Sequence, residues 1–293
     1  MISINIIAKN EEPVIRTVLD NIISQIDDNY EIIIVDNGSK DQTYKIIKEY
    51  EKKEKRNKQY NITTSQYIGP KGGARNKALQ LSKGDYILCL DADQTYKNLQ
   101  KLVKEYLQNY TNYAIKVGRS SFPILAPTKL LKEIGGWRNL THREDWDLWF
   151  RLTDNCKYLY LADKDYIFVK HYHEHKRKHS KIQTAKGLIE RYRDDTLVGL
   201  PSIHLKNQPE LTPFYILGKI LAITKINMIA HYKCTKYLRE ELPPNLKGID
   251  WDLKRHYNLL KYEAKTCSDP IFKEAMKIFE EKYSKYTTSI NNI

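Results

Sequence analysis

Residues 84–93 read Gly-Asp-Tyr-Ile-Leu-Cys-Leu-Asp-Ala-Asp, an apolar run that ends in two carboxylates one residue apart. The apolar part predicts a buried strand, and in open α/β sheets ligands bind beyond the carboxyl ends of the strands. Side chains two residues apart on an extended backbone point the same way, so we expect Asp91 and Asp93 to converge there. Two carboxylates this close repel each other unless a cation or a proton lies between them. The pattern therefore indicates either a Mg²⁺ or Mn²⁺ site that also takes phosphate oxygens, or an Asp-rich turn that closes the strand.

The segments around this stretch alternate between strand and helix patterns. Isoleucines alternate with polar residues over 2–6, and residues 31–35 read Glu-Ile-Ile-Ile-Val, as expected of a strand covered on both faces. Apolar residues recur with helical spacing over 14–26, and glycines at 69–73 bend the chain into a further helix. This alternation predicts an α/β fold with a Rossmann-like, mostly parallel sheet, right-handed crossovers and flanking helices.

The sequence changes character after about residue 180, where strand patterns give way to helical patterns interrupted by prolines. We therefore predict a catalytic domain over 1–180 and a helical C-terminal region over 181–293. The most apolar part of that region, residues 214–230, contains Lys219 and Lys225 and is too interrupted to predict a membrane span. We favour a buried helix here over one that lies at a membrane interface.

The composition describes an ordinary globular protein with a basic surface. The 293 residues are 41% hydrophobic and 29% charged, and the formal net charge is +13. That charge attracts polyanions, of which nucleic acid, an anionic membrane and a nucleotide-linked substrate all qualify. The four cysteines (Cys89, Cys156, Cys234 and Cys267) form no CxxC pair, so neither a zinc ribbon nor a disulfide framework is predicted. A reducing cytoplasm is the expected setting, since no secretory signal is visible at the N-terminus.

Several segments stand in order within the first 180 residues. They are Ala8-Lys9-Asn10-Glu11-Glu12, Asp36-Asn37-Gly38-Ser39-Lys40-Asp41-Gln42-Thr43, Gly73-Ala74-Arg75-Asn76-Lys77-Ala78-Leu79, Asp91-Ala92-Asp93, and Gly135-Gly136-Trp137 followed by Glu144-Asp145-Trp146-Asp147-Leu148. Together they resemble the motifs of the family 2 glycosyltransferases with a GT-A fold. The resemblance implies a nucleotide-sugar donor carrying UDP, GDP or dTDP, a Mn²⁺ or Mg²⁺ ion, and transfer with inversion at the anomeric carbon. It covers nothing beyond residue 180.

The resemblance also implies a metal site. The first carboxylate, Asp91, would lie towards the ribose, and Asp93 would hold the metal directly. A histidine after the late strand, His171 or His173, would provide a further metal or diphosphate contact. These histidines belong to a basic cluster that could instead be a zinc site or a solvated strip.

The donor is expected to contact residues from four of these segments: Ala8, Asn10, Glu11, Asp36, Asn37, Lys71, Arg75 and Asp91. Family members often have two aspartates where this chain has Asp36 and Asn37. Because an amide can both donate and accept hydrogen bonds, the identity of the nucleotide base is not predicted. A turn and helix cap is the alternative interpretation of residues 36–39. Arg75 suits a diphosphate, with Lys71 assisting, whereas the nearby glycines more simply permit a tight turn, since no Gly-Lys-Ser/Thr follows them.

The acceptor hydroxyl needs a base to remove its proton. Asp145 is the candidate, because it matches the second acidic residue of the family's Glu-Asp pair, and Glu144 is the fallback. The alternative is that both merely complement a helix dipole.

The acceptor is predicted only as a hydroxyl of a lipid, a protein or a glycan, with peripheral contact at the inner face of a membrane as one option. Two other functions compete. Nucleotidyl transfer to a sugar phosphate would need an early Gly-x-Gly-Thr-Arg segment, which the chain lacks. Nucleic-acid binding would explain the charge, but no recognition helix, zinc finger or RNP-like motif accompanies it, so no specific nucleic-acid partner is expected.

Overall fold

The structure is a computed structural model that describes residues 1–57, 61–118, 123–162, 168–172, 181–200, 209–240 and 249–283. The chain divides into two compact units. The first comprises residues 1–139 and 157–176, and the second comprises residues 140–156 and 177–293. The segment 140–156, which the sequence interpretation assigned to the first domain, therefore groups with the C-terminal helices.

The first unit alternates strands with helices, as predicted. Its described elements are β1 (Ile2–Ala8), α1 (Ile15–Ile23), β2 (Tyr30–Asp36), α2 (Thr43–Asn57), β3 (Asn61–Gln66), α3 (Lys71–Leu81), β4 (Tyr86–Asp91), β5 (Gln94–Tyr96), α4 (Leu99–Asn109), β6 (Ala114–Val117), β7 (Ile124–Pro127), α5 (Thr128–Glu133), β8 (Tyr158–Leu161) and β9 (Phe168–His171).

Seven of these strands form one sheet in the order β3-β2-β1-β4-β7-β6-β8. Strand β1 pairs in parallel with β2 and β4, β2 with β3, and β6 with β8, whereas β7 runs antiparallel to both neighbours. The predicted fold class, a mostly parallel sheet flanked by helices, is confirmed. The antiparallel strand β7 and the short strand β5 were not predicted.

The central strands are buried on both faces, which explains their uninterrupted apolar sequence. All seven residues of β2 are buried, and helix α3 packs on it through Ala74 and Ala78 against Ile33 and Val35. The small alanines let helix and sheet approach closely. The register of β1 against β4 then aligns Ile7 with Asp91, so the two strands end side by side.

A buried carboxylate fixes the turn that leads into β4. Glu31 accepts hydrogen bonds from Ser3 Oγ at 2.5 Å and from the backbone N–H groups of Lys83 and Gly84 at 2.6 and 3.2 Å. A Cβ on Gly84 would lie 2.7 Å from the backbone nitrogen of Ser3, so only glycine fits. These contacts set the start of β4 and hence the position of its carboxyl end.

The second unit is helical in its described parts. Its elements are α6 (Glu144–Asp154), α7 (Lys181–Val198), α8 (Thr212–Ile223), α9 (Thr235–Glu240), α10 (Ile249–Thr266) and α11 (Ile271–Lys282), with short 3-10 turns at Pro209–Leu211 and Ile226–Met228. Trp146 and Trp149 of α6 pack on His256 of α10, with ring centroids 5.0 and 4.9 Å apart. Within the described residues, no helix combines the length and apolar character needed to cross a bilayer.

The expectation that residues 214–230 form a buried helix is wrong. Helix α8 buries only Gly218 and Ala222, whereas the large side chains of Ile216, Ile220 and Ile223 are 52%, 52% and 63% exposed. The prediction failed because α8 is apolar on nearly every face, so its sequence does not show which face packs inward.

The described residues contain one disulfide, which the sequence analysis did not predict. Cys156, just after α6, bonds to Cys267, just after α10, across a sequence separation of 111 residues. Both cysteines belong to the second unit. Such a pair carries no local spacing signal, because it reflects the packing of two helices that are distant in sequence.

Candidate active site

Asp91 is the last residue of β4, and its surroundings hold it from two sides. Gln94 Nε2 donates to Asp91 Oδ2 at 2.7 Å, and the backbone N–H of Asp91 donates to the hydroxyl of Tyr96 at 2.9 Å. Tyr96 is almost fully buried. The first carboxylate of the Asp-Ala-Asp segment is therefore fixed by residues of the short strand β5, which sequence reasoning missed.

Asp93 lies beside His171, as the sequence interpretation expected of the histidine after the late strand. Strand β9 pairs antiparallel with β5, which places His171 opposite Gln94. The Nε2 of His171 lies 3.0 Å from Oδ2 of Asp93, and the backbone N–H of Tyr172 donates to the carbonyl of Asp93 at 2.9 Å. The hydrogen bond to Asp93 raises the pKa of His171 above its ordinary value.

Charges of both signs act on the carboxyl group of Asp91. Burial raises the pKa of the Asp91 carboxyl to about 6. The positive charges of Arg75, Lys71 and His171 oppose this rise, whereas the negative charge of Asp93 adds to it. Arg75 is buried and Lys71 is exposed, and both lie in the first two turns of α3. Two carboxylates and two basic side chains thus share one end of the sheet.

The oxygen and nitrogen atoms at this end of the sheet fit a divalent cation whose remaining ligands are phosphate oxygens and water. In the part of the chain that the structure describes, no three His, Cys, Asp or Glu side chains form a ready-made metal cage. Asp93 and His171 nevertheless converge to 3.0 Å, and Asp91 lies two residues away. Mg²⁺ and Mn²⁺ sites commonly use one or two protein carboxylates and complete the shell with phosphate oxygens and water. His173, the other histidine considered as a ligand, lies outside the described residues.

Asp36 is the last residue of β2 and Asn37 follows it, and both are buried. Asp36 accepts from the backbone N–H of Ser39 and from Gln66 Nε2, each at 3.2 Å. The end of the Asn37 amide faces the backbone carbonyls of Tyr67 and Gly69 at 2.9 and 3.1 Å, so hydrogen-bonding chemistry assigns the nitrogen to that end, where it would donate to both. The base-reading role of Asn37 stays a prediction.

The loops after β1 and β2 are tied to each other. Asn10, at a positive φ of 53°, accepts from the backbone N–H of Lys40 at 2.6 Å, and its own N–H donates to Ser39 Oγ at 2.8 Å. The backbone N–H of Glu11 donates to Thr43 Oγ1 at 2.7 Å. Ala8 is buried, and its carbonyl accepts from the backbone N–H of Asn37 at 2.8 Å. Asn10 thus joins two of the segments expected to contact the donor.

The glycines before Arg75 serve close packing. A Cβ on Gly73 would lie 2.0 Å from the hydroxyl of Tyr67, so the Tyr67 ring occupies that space. Farther along α3, Asn76 Nδ2 donates to the carbonyl of Trp137 at 2.6 Å, and Asn76 Oδ1 accepts from the N–H of Trp137 at 2.8 Å. The Gly73–Leu79 segment is therefore joined to the Gly-Gly-Trp segment within the first unit.

Glu144 and Asp145 begin α6 in the second unit. Glu144 is buried and Asp145 is half-buried. Asp145 Oδ1 accepts from the backbone N–H of Trp146 at 2.8 Å, as carboxylates do at the positive end of a helix. The residue before them, Arg143, has a positive φ of 64°.

Two adjacent aspartates of α7 hold the chain that leads into α6. Asp194 Oδ2 accepts from the backbone N–H groups of Thr141 and His142, at 3.1 and 2.9 Å. Asp195 Oδ1 accepts from Arg143 Nε at 2.5 Å. Asp194 and Asp195 are buried. Sequence reasoning missed this pair, because no motif connects residues 52 apart.

Glycosyl transferase family 2 is the family whose sequence model matches this chain, over residues 3–168. The chain belongs to this family. The matched range contains the carboxyl end of β4 together with the loops after β1 and β2, and the predicted enzyme class, a family 2 glycosyltransferase, is thereby confirmed.

A curated relative of this family 2 protein is the UDP-Glc:alpha-D-GlcNAc-diphosphoundecaprenol beta-1,3-glucosyltransferase WfaP of Escherichia coli. It is 36% identical over 93 residues, which are 32% of this chain and 35% of WfaP. For this and seven further curated relatives, the match covers between 16% and 44% of their own length, so the chain spans less than half of each.

Two solved structures share the fold of this family 2 chain. The mannosyltransferase PcManGT of Pyrobaculum calidifontis, in complex with GDP-Man and Mn²⁺, has a TM-score of 0.53 at 17% identity and covers 99% of this chain and 83% of its own. Residues 1–349 of S. aureus TarS, in complex with UDP-GlcNAc, have a TM-score of 0.51 at 18% identity and cover 99% and 91%. At these identities the likeness shows the fold alone.

Proposed function

We propose that this protein transfers a sugar from a nucleoside-diphosphate donor to an acceptor hydroxyl, with inversion at the anomeric carbon and with the help of Mn²⁺ or Mg²⁺. The observation that supports this most strongly is the convergence of Asp93 and His171, 3.0 Å apart, at the carboxyl end of the central strand β4. Ligands bind at that edge in open α/β sheets. Transfer of a nucleotide to a sugar phosphate gains no support, because the chain belongs to a glycosyltransferase family.

The donor half of the reaction concerns the leaving nucleoside diphosphate. As the bond to the sugar breaks, negative charge grows on the pyrophosphate. Asp93 and His171, with Asp91 beside them, would hold the divalent ion, which when bound neutralises that charge as a Lewis acid. The positive charges of Arg75 and Lys71 on α3 favour the ionised form of Asp91, and we propose that the two side chains also contact the diphosphate.

The acceptor half of the reaction requires removal of a proton from the attacking hydroxyl. We assign this step to Asp145, and Glu144 is the second choice because it is more deeply buried. The hydrogen bond that Asp145 Oδ1 accepts from the backbone N–H of Trp146 orients this carboxylate at the N-terminus of α6. Positioned bases of this kind contribute about 10²–10⁴-fold in rate.

The acceptor that we favour is an alcohol or sugar carried on a lipid diphosphate, rather than a protein or a free glycan. WfaP, whose name gives a diphosphoundecaprenol acceptor, supports this choice. A lipid-borne acceptor would bring the protein to a membrane surface, and we place its action at the inner face. The net charge of +13 would favour an anionic surface.

A thermal-shift panel tests the donor and the metal together. UDP-, GDP- and dTDP-sugars would each be added to the protein with and without Mn²⁺. The proposal predicts that one nucleotide raises Tm clearly more than the others, and only when Mn²⁺ is present, followed by release of that nucleoside diphosphate on addition of a lipid-diphosphate acceptor. No shift with any donor under either condition would contradict it.

A further inference from the structure

Helix α8 presents an apolar face to solvent. Beyond Ile216, Ile220 and Ile223, the side chains of Leu217 and Leu221 are 44% and 39% exposed. Most soluble proteins scatter their exposed apolar residues singly, and a contiguous group marks an interaction site. This group follows helical spacing from Ile216 to the end of the helix at Ile223, so it forms one continuous surface.

The packing of α8 on α7 shows that this surface is the outward face of a fixed helix. A Cβ on Gly218 would lie 2.7 Å from Tyr192 Cβ and 2.9 Å from both Arg193 N and Ile189 O. The backbones of the two helices therefore meet at Gly218, with Ala222 buried one turn later. The small residues face α7, which leaves the large apolar ones facing away from it.

The apolar face lies in a stretch of sequence that carries only positive charge, with Lys219 on α8 itself and Lys225 just after it. No Asp or Glu occurs between Glu210 and Glu240, whereas exposed lysines stand at 219, 225, 233 and 236. The amine of Lys219 lies over the ring of Tyr215, one turn earlier on the same helix, 4.7 Å from the ring centroid. An exposed apolar stripe bordered by lysines is typical of a helix that lies in a membrane interface.

We propose that the outward face of α8 docks on an anionic lipid bilayer, with the helix parallel to the membrane surface. A helix of 12 residues is about 18 Å long, shorter than the hydrocarbon core of about 30 Å, so it lies in the interface and does not span it. The isoleucines enter the boundary between headgroups and acyl chains, and the lysines meet the lipid phosphates.

Charge complementarity favours a bilayer over a second copy of the chain. In a two-fold dimer built on this face, the same patch of each copy would meet the other, which would bring the lysines of both copies together. Anionic headgroups instead provide the charge opposite to that of Lys219 and Lys225. The purpose of this docking, delivery of the enzyme to a lipid-borne acceptor, rests on the proposed function, but the binding itself does not.

Co-sedimentation with lipid vesicles tests the proposal on the full chain. We expect binding to vesicles of equimolar phosphatidylcholine and phosphatidylglycerol, and much weaker binding to phosphatidylcholine alone. The double variant Ile216→Gln/Ile220→Gln should lose at least about tenfold in vesicle affinity with an unchanged Tm, because both side chains are exposed. The variant Lys219→Gln/Lys225→Gln should weaken binding to the anionic vesicles and reduce its dependence on salt.

Two matched controls distinguish binding through the α8 face from nonspecific hydrophobic adsorption and from nonspecific electrostatic attraction. Leu107→Gln removes an exposed apolar side chain of α4, and Lys273→Gln/Lys277→Gln removes two exposed lysines of α11; neither should change binding by more than about twofold. Absence of binding to the anionic vesicles, or equal binding by the Ile216→Gln/Ile220→Gln variant, would overturn the proposal. A concentration-dependent dimer that this variant abolishes would assign the face to self-association instead.

The vesicles contain no nucleotide sugar, so this result and the donor panel fail independently. Vesicle binding that depends on α8 without any donor-induced shift in Tm would refute the proposed function alone. A donor-induced shift without vesicle binding would refute the docking alone.

Discussion

The imidazole Nε2 of His171 lies 3.0 Å from the carboxylate Oδ2 of Asp93, although the two residues are 78 positions apart in the sequence. The pairing of β5 with β9 brings them together, and the hydrogen bond from Tyr172 N–H to the carbonyl of Asp93 holds the backbone beneath. Both side chains therefore start from positions fixed by strand pairing. A preformed pair of this kind would lose little freedom on binding the proposed cation.

Replacing Asp93 with Asn should abolish transfer and leave the fold intact. The change keeps the shape of the side chain but removes the charge that a divalent cation needs, and Asp93 is partly exposed, so unfolding is not expected. Turnover of the preferred nucleotide sugar would be measured alongside the thermal melting curve. Asp85→Asn is the matched control and should retain activity. Asp85 is an exposed carboxylate just before β4, and it forms an ion pair with the N-terminal amine. Wild-type turnover by the Asp93 variant would remove this residue from the mechanism.

Replacing His171 with Ala should raise the Mn²⁺ concentration needed for half-maximal activity by about 10–100-fold, since a lost ligand or ligand partner weakens metal binding by that order. Excess Mn²⁺ should restore part of the rate. A metal titration of the initial rate measures both effects, and His231→Ala, an exposed histidine of the second unit, serves as control. An unchanged metal requirement would show that His171 acts neither as a ligand nor as a support for one.

Asp145→Asn should lower kcat by about 10²–10⁴-fold with little change in the KM for the donor, because the base acts on the acceptor alone. Glu144→Gln is the companion variant and should cost less activity. Steady-state kinetics with both substrates varied separates the two. If Glu144→Gln loses kcat and Asp145→Asn does not, the base is Glu144.

Asp194→Ala should destabilise the second unit by about 1–3 kcal/mol, since two backbone N–H groups, of Thr141 and His142, lose their buried acceptor. Urea unfolding measures this change. The exposed carboxylate Glu274 of α11 provides the control, and Glu274→Gln should change stability by less than about 0.5 kcal/mol. Equal stability of the Asp194 variant and the wild type would show that the contact contributes nothing.

Reducing the disulfide should destabilise the protein by about 2–4 kcal/mol, because a cross-link between residues 111 apart restricts the unfolded chain. The melting temperature with and without a thiol reductant gives the effect, which should be several degrees. The double variant Cys156→Ser/Cys267→Ser should show the lower Tm and no response to the reductant. If the reductant lowers the Tm of that variant as well, the effect of the reductant does not come from the Cys156–Cys267 bond.

The sequence predicted the carboxyl end of the sheet well because its signals are local. The apolar run that ends at Asp91 and Asp93 predicts both a buried strand and two carboxylates at its end. The apolar, β-branched residues of β1 and β2 predict two further buried strands. His171 was predicted only through the family resemblance, since nothing near it in sequence connects it to Asp93. Physical contacts between distant segments leave no such local trace.

The features that escaped prediction depend on tertiary packing. Strand β7 is four residues long and ends in Pro127, too short to show a period. The Asp194 pair and the Cys156–Cys267 bond join residues far apart in the sequence. Helix α8 was assigned to the core because it is apolar, whereas its packing through Gly218 exposes the isoleucines.

Calorimetric titration of UDP and GDP into the wild type and Asp93→Asn, each with and without Mn²⁺, tests the central claim most directly. The account predicts that one of the two nucleotides binds the wild type far more tightly when Mn²⁺ is present, and that the Asp93 variant shows no such gain. Equal gains from Mn²⁺ in the wild type and in the variant would contradict it.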